Sequence, residues 1–158
     1  MKKATLEESV VKTLKKKGLT LASAESITGG GLAESITSVA GSSEVFLGGF
    51  VTYSDSSKVK FLEIPKRLLS KHTAVSEEVA KDMAESVREQ FKSDYAISTT
   101  GVAGPGKAYG QSAGTVWIAI ASKKSTVTVA LSLAGDRATI RRDTIQSALA
   151  TFSRILIS

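Results

Sequence analysis

The stretch Leu19-Thr20-Leu21-Ala22-Ser23-Ala24-Glu25-Ser26-Ile27-Thr28-Gly29-Gly30-Gly31-Leu32-Ala33-Glu34-Ser35-Ile36-Thr37 decides the fold. Leu19 to Ala24 is a short apolar-rich run and reads as a strand. Gly29, Gly30 and Gly31 turn the chain, and Leu32 to Thr37 reads as a helix. Strand, glycine-rich turn and helix form the opening unit of an α/β domain. Such a turn sets Ser26 at a strand end, beside backbone N–H groups that lack intrahelical partners. Glycines let an anionic group approach that backbone. Ser26 is therefore a candidate nucleophile beside potential oxyanion donors. The plainer alternative is that Ser26 or Thr28 caps the helix and the glycines only turn the chain.

Reading outward, Leu6, Val10 and Leu14 recur every four residues before Gly18, which predicts an amphipathic helix over about 5–17. Downstream, Phe46 to Tyr53 reads as a second strand, and Ser54-Asp55 as the cap of a short helix carrying Lys58. Pro65 marks a turn. Ser76-Glu77-Glu78 opens a helix to about residue 91, with Val79, Met83, Ala84, Val87 and Phe91 on one face. Tyr95 to Thr100 is a third strand, followed by the loop Gly101 to Gly106. Thr115 to Ala121 and Thr126 to Leu133 alternate around Ser122-Lys123-Lys124-Ser125, a hairpin pattern. Asp136 caps a last helix with Ile145, Leu149, Phe152 and Leu156 inward. This order predicts an α/β fold with helices on both sheet faces and one antiparallel hairpin. Without repeats or linkers, residues 1–158 read as a single domain.

Composition narrows the function classes. With 42% apolar and 23% charged residues, the chain is neither disordered nor collagen-like. No apolar run approaches the ~20 residues of a membrane helix. Met1-Lys2-Lys3-Ala4-Thr5-Leu6-Glu7-Glu8 lacks the apolar core of a signal peptide, so the expected location is cytoplasmic, with no membrane partner. There is no cysteine, which excludes disulfide and thiolate chemistry. A lone histidine, His72, excludes a multi-histidine metal site; no metal or cofactor is expected. Of the net charge of +6, residues 1–17 carry +4, from six lysines and two glutamates. Lys15-Lys16-Lys17 suit a helix C-terminus, and no aromatic residues interleave with them. Nucleic acid is therefore not the expected partner.

Three further clusters could carry chemistry. In Tyr53-Ser54-Asp55-Ser56-Ser57-Lys58, Lys58 offers a base for a serine, because Ser–Lys pairs are a variant of the triad logic. A buried lysine loses its proton more readily. The alternatives are a surface lysine, a tyrosine packed at a strand end, and His72 as the base. Thr100-Gly101-Val102-Ala103-Gly104-Pro105-Gly106-Lys107-Ala108 nearly matches a P-loop, but Ala108 replaces its Ser or Thr and no helix follows. A glycine loop at a strand end still suits a phosphate. Arg137 and Arg141 share a helix face and could clamp the same group.

Seven short motifs then occur in one family's order: Ala24-Glu25-Ser26 with Thr28-Gly29-Gly30, Ala40-Gly41-Ser42-Ser43, Gly49 with Val51 and Tyr53-Ser54, Ala74-Val75-Ser76-Glu77, Thr100-Gly101-Val102-Ala103-Gly104-Pro105, Gly114-Thr115-Val116, and Gly135-Asp136-Arg137. From about residue 5 to 157 the chain resembles the CinA C-terminal domain family, the nicotinamide-nucleotide amidases. The resemblance implies a three-layer α/β/α sandwich with a mixed, mostly parallel sheet, in a homo-oligomer. It implies deamidation of nicotinamide mononucleotide to nicotinic acid mononucleotide and ammonia, without metal. It places the nucleophile at Ser26 and the base at Lys58, with Tyr53 assisting. Substrate contacts are then expected from Thr28, Gly29, Gly30, Thr100, Gly101, Ala103, Gly104, Arg137 and Arg141. The chain departs from the family at Ile27, usually Cys, and at Asp55, usually Asn. Gln111-Ser112-Ala113-Gly114 replaces a usual Lys-Pro-Val-Gly. Asp55 would raise the Lys58 pKa. A non-catalytic pyridine-nucleotide sensor and a DNA-associated competence protein are the competing readings.

Overall fold

A computed structural model describes residues 1–158. Its centre is β1 (Leu21–Glu25), buried along its whole length. β2 (Phe46–Val51) and β3 (Tyr95–Gly101) flank it, both parallel to it. β4 (Thr115–Ser122) runs antiparallel to β3, and β5 (Thr126–Ser132) antiparallel to β4. The order is β2-β1-β3-β4-β5. Four strands therefore point one way and only β4 is reversed, a mixed, mostly parallel sheet with one hairpin.

Parallel strands need both faces covered, and the side chains make the two faces unlike. Leu21, Ile97, Val116, Ile118 and Ile120 form the large-residue face. Against it pack α1 (Leu6–Lys17), α2 (Gly31–Thr37) and α6 (Arg137–Ile157). Ala22, Ala24, Ala96, Ala119 and Ala121 make the other face small. There α5 (Glu77–Phe91) comes close, with Ala80 and Ala84 against Ala119 and Ala121. The Ser98 hydroxyl donates to the Ala80 carbonyl at 2.5 Å. α3 (Asp55–Leu62) and α4 (Lys66–His72) complete this layer.

α4 is an element the sequence reading missed. Pro65, taken as a turn, stands at its N-cap and accepts from Leu68 and Leu69; a proline can start a helix as readily as stop one. The first two strands also shift: β1 begins at Leu21 rather than Leu19, and β2 ends at Val51 rather than Tyr53. α1 forms over the expected residues, with a Thr5–Glu8 capping box and a left-handed Gly18 closing it. No helix is long and apolar enough to cross a membrane.

An aromatic cluster fixes α3. Phe50 of β2 stacks on Phe61 of α3 at 5.9 Å and meets Phe91 of α5 at 5.7 Å. The Gln90 amide donates to the Phe61 carbonyl at 2.7 Å. These contacts turn Lys58 and Leu62 inward.

β1 and β2 approach closely only because Gly49 lacks a side chain. A Cβ there would lie 2.2 Å from the Ser23 carbonyl oxygen and 2.4 Å from its hydroxyl. Gly49→Ala is expected to destabilise the protein by about 2 kcal/mol or more, as overpacking does. Urea unfolding checks this; an unchanged midpoint would show that the two strands separate freely.

Candidate active site

The C-terminal ends of β1, β2 and β3 lie side by side, and each supplies part of one site. In open α/β sheets this is where ligands bind. Ser26 follows β1 directly. Its N–H donates to the Thr99 carbonyl of β3 at 2.9 Å. Its carbonyl accepts from Gly29 N–H at 3.1 Å, closing the turn.

Neither Ser26 nor Thr28 caps α2. Glu25 does, although the sequence reading gave it no role. Its carboxylate accepts from Leu32 N–H at 2.8 Å, Ala33 N–H at 3.0 Å and the Thr28 hydroxyl at 2.6 Å. A charge this buried (1% exposed) needs such partners. The legible signal was a carboxylate ending an apolar strand just before a glycine turn. With Glu25 as cap, the Ser26 hydroxyl is free for other chemistry. The Ile27, Thr28 and Gly30 amides make no hydrogen bond within the chain.

Lys58 reaches Ser26 from the opposite layer. Its Nζ donates to Ser26 Oγ at 3.0 Å and to the Thr52 carbonyl, just after β2, at 2.9 Å. Lys58 is 1% exposed and forms no ion pair within 4.0 Å. Burial lowers its pKa below the ordinary lysine range, and the Asp55 carboxylate, one helical turn earlier, raises it part of the way back. His72 lies at the end of α4, 3.6 Å from Glu78, and does not line the cleft.

The cleft itself measures about 290 Å³, close to the lower end of ligand pockets. Ser26 and Ile27 form part of its wall, with Tyr53, Arg137 and the segment from Gly101 to Tyr109. Arg137 donates to the Gly104 carbonyl at 2.6 Å and to the Tyr53 hydroxyl at 2.7 Å, tying α6 to the rim. In the loop, the amides of Ala103, Gly104, Gly106 and Lys107 make no hydrogen bond within the chain.

The expected site residues therefore divide. Ser26, Tyr53, Gly101, Ala103, Gly104 and Arg137 line the cleft, and Lys58 stands behind Ser26. Thr28 and Thr100 turn their hydroxyls inward, Thr28 to Glu25 and Thr99, and Thr100 to the Ala74 carbonyl at 2.6 Å. Gly29 and Arg141 edge an adjoining hollow that shares Tyr53 and Arg137 with the cleft, and Gly30 is outside the cleft. The Arg141 guanidinium donates to the Ile27 carbonyl at 3.2 Å and the Thr28 carbonyl at 3.0 Å. It braces the turn.

Known proteins share this arrangement of elements. A profile of the CinA C-terminal domain matches residues 3–156. A competence-damage inducible protein of Caldanaerobacter subterraneus subsp. tengcongensis is 50% identical over 137 residues, which is 86% of this chain and 33% of that protein. The chain spans about a third of the length of the curated relatives it matches. Competence damage-inducible protein A of Klebsiella pneumoniae superposes with a TM-score of 0.94 at 35% identity, over 96% of this chain and 95% of that one. A CinA superfamily protein of Escherichia coli gives 0.91 at 32% identity, over 100% and 95%.

Glu25→Ala strands the Leu32 and Ala33 amides at the start of α2 and leaves the Thr28 hydroxyl with Thr99 alone. An expected loss of about 2–4 kcal/mol follows from the unmade hydrogen bonds. Denaturant unfolding measures it, and a loss under about 0.5 kcal/mol, the range of ordinary surface changes, would mean that the carboxylate does not hold the turn.

Proposed function

This chain belongs to the CinA C-terminal domain family, and on that footing we propose that it is an amidohydrolase that converts nicotinamide mononucleotide to nicotinic acid mononucleotide and ammonia. The observation that carries the reading is the 3.0 Å contact between the buried Lys58 amine and the Ser26 hydroxyl. A nucleophile and base within hydrogen-bond reach are the mark of covalent catalysis. The sensor reading leaves unexplained why an amine is buried against a hydroxyl without a counter-charge.

In the proposed reaction, neutral Lys58 takes the Ser26 proton. Ser26 Oγ bonds to the carboxamide carbon, and the carbonyl electrons move to its oxygen. A donor for that oxyanion is available in the free amide of Ile27, which lines the cleft; one such donor is typically worth about 3–4 kcal/mol. The oxyanion then reforms its double bond and the carbon–nitrogen bond breaks. Protonated Lys58 returns the proton to the leaving nitrogen, releasing ammonia, with Tyr53 in reach of the same cleft. Water, deprotonated by Lys58, attacks the acyl carbon; Ser26 leaves with the returned proton, and the product is the carboxylic acid. The free loop amides from Ala103 to Lys107 suit the phosphate of the mononucleotide. Arg137 contributes by holding Gly104 and Tyr53 in place.

Ammonia release from the mononucleotide tests this. Ser26→Ala and Lys58→Ala are each expected to lose at least about a hundredfold in rate. A normal rate in either variant removes that residue from the mechanism, and ligand binding without ammonia release supports a sensor instead. The pH profile gives a separate check. The base form of Lys58 is needed, so kcat/KM is lost as pH falls through its folded pKa. Burial moves that loss below the ordinary lysine range. Asp55→Asn removes the charge that raises the pKa, so the acid limb is expected to move to lower pH; a limb that stays in place contradicts the assignment of Lys58.

A further inference from the structure

Tyr109 stands in a backbone conformation that its side chain does not favour. Its φ is +52° and that of Gly110 is +71°. Ala108 and Gln111 bracket the pair and exchange backbone hydrogen bonds of 3.1 and 2.9 Å. Two positive φ values at the centre of a two-residue turn give the type I′ form, where Asn-Gly is the favoured pair. The other positive-φ residues that are not glycine, Glu63, Thr73 and Lys92, are all helix C-caps. Only Tyr109 takes this conformation for the sake of a loop tip. A bulky residue held there points to function.

The ring lines the cleft with Ser26 and Tyr53. It is 47% exposed, as Tyr53 beside it is at 59%. Its hydroxyl lies 3.5 Å from Oδ1 of Asp55, the first residue of α3. Burial and then the Asp55 charge raise the pKa of that hydroxyl, so it stays protonated and can donate. The other charged groups on the cleft wall are Arg137 and Lys107.

We propose that Tyr109 is a specificity-determining residue whose ring, backed by the Asp55 carboxylate, recognises a planar cationic ring of the N-substituted pyridinium class. This rests on the amidase reading, since the substrate proposed there carries that ring. An aromatic face attracts a cation through its quadrupole, and a carboxylate on the hydroxyl makes the ring richer in electrons. Lys107 and the loop amides suit the anionic end of the same ligand, so the cleft is polarised to match a zwitterion.

The test exploits the turn. Tyr109→Asn supplies the residue a type I′ turn prefers while deleting the ring. Titration calorimetry on the purified protein would use nicotinic acid mononucleotide, and ribose 5-phosphate as the ligand without a ring. Tyr109→Asn is expected to melt no lower than the parent, to lose on the order of tenfold in affinity for the mononucleotide, and to bind ribose 5-phosphate unchanged. Tyr109→Phe keeps the ring and is expected to lose a smaller part. Unchanged mononucleotide affinity in Tyr109→Asn, or an equal loss for ribose 5-phosphate, overturns the proposal. Parent protein that binds the mononucleotide but releases no ammonia from the amide overturns the amidase reading and leaves Tyr109 in its role. Parent protein that binds neither ligand overturns the Tyr109 proposal, while ammonia release from the amide decides the amidase reading separately.

Discussion

Burying the Lys58 amine is the constraint on which the site depends. Taking a charged ammonium out of water costs several kcal/mol, and a lysine in this position escapes much of that by giving up its proton. No carboxylate contacts it; Asp55 acts only from one helical turn away. Two oxygens, Ser26 Oγ and the Thr52 carbonyl, are its whole hydrogen-bond environment. For stability alone an apolar side chain would serve as well. A group whose ionisation is shifted by burial and whose partner is a hydroxyl beside a cleft has the properties of a reactive centre.

The contact joins two separately built layers. Ser26 is held by the large-residue side of the sheet: Glu25 caps α2, and Arg141 from α6 grips the Ile27 and Thr28 carbonyls. Lys58 is held by the small-residue side, where Phe50, Phe61 and Phe91 seat α3 on β2 and α5. The two meet where the parallel strands end. The packing of both layers thus sets a distance of 3.0 Å, and the loop after β3 roofs the result. Arg137 at one rim and Tyr109 at another tie that roof to α6 and α3.

Much of this was legible because the periodic and turn signals were strong. The strand–glycine–helix unit, the amphipathic faces of α1 and α5, and the alternation of β4 and β5 all read correctly from residue types. α4 did not, because Pro65 serves equally as a stop or a start and seven residues carry little periodicity. The pairing of Ser26 with Lys58 came from family resemblance; spacing alone left Lys58 open between a surface residue and a base. Capping of α2 was misread because serine and threonine are the usual caps, whereas here a carboxylate from the preceding strand reaches over the turn. The roles of Thr28 and Thr100 were unreadable for a related reason: a hydroxyl at a strand end can face a ligand or a buried carbonyl, and only the fold decides which.

Whether Lys58 is a neutral amine at working pH is the question that bears most directly on this account. Selective ¹³C labelling of the lysine ε-carbons, with NMR titration and assignment by Lys58→Arg, reads its ionisation alone. The account predicts a titration below that of the exposed lysines in the same sample. A Lys58 that titrates with them, or above them, would mean that Ser26 has no base, and the hydrolytic reading would fail with it.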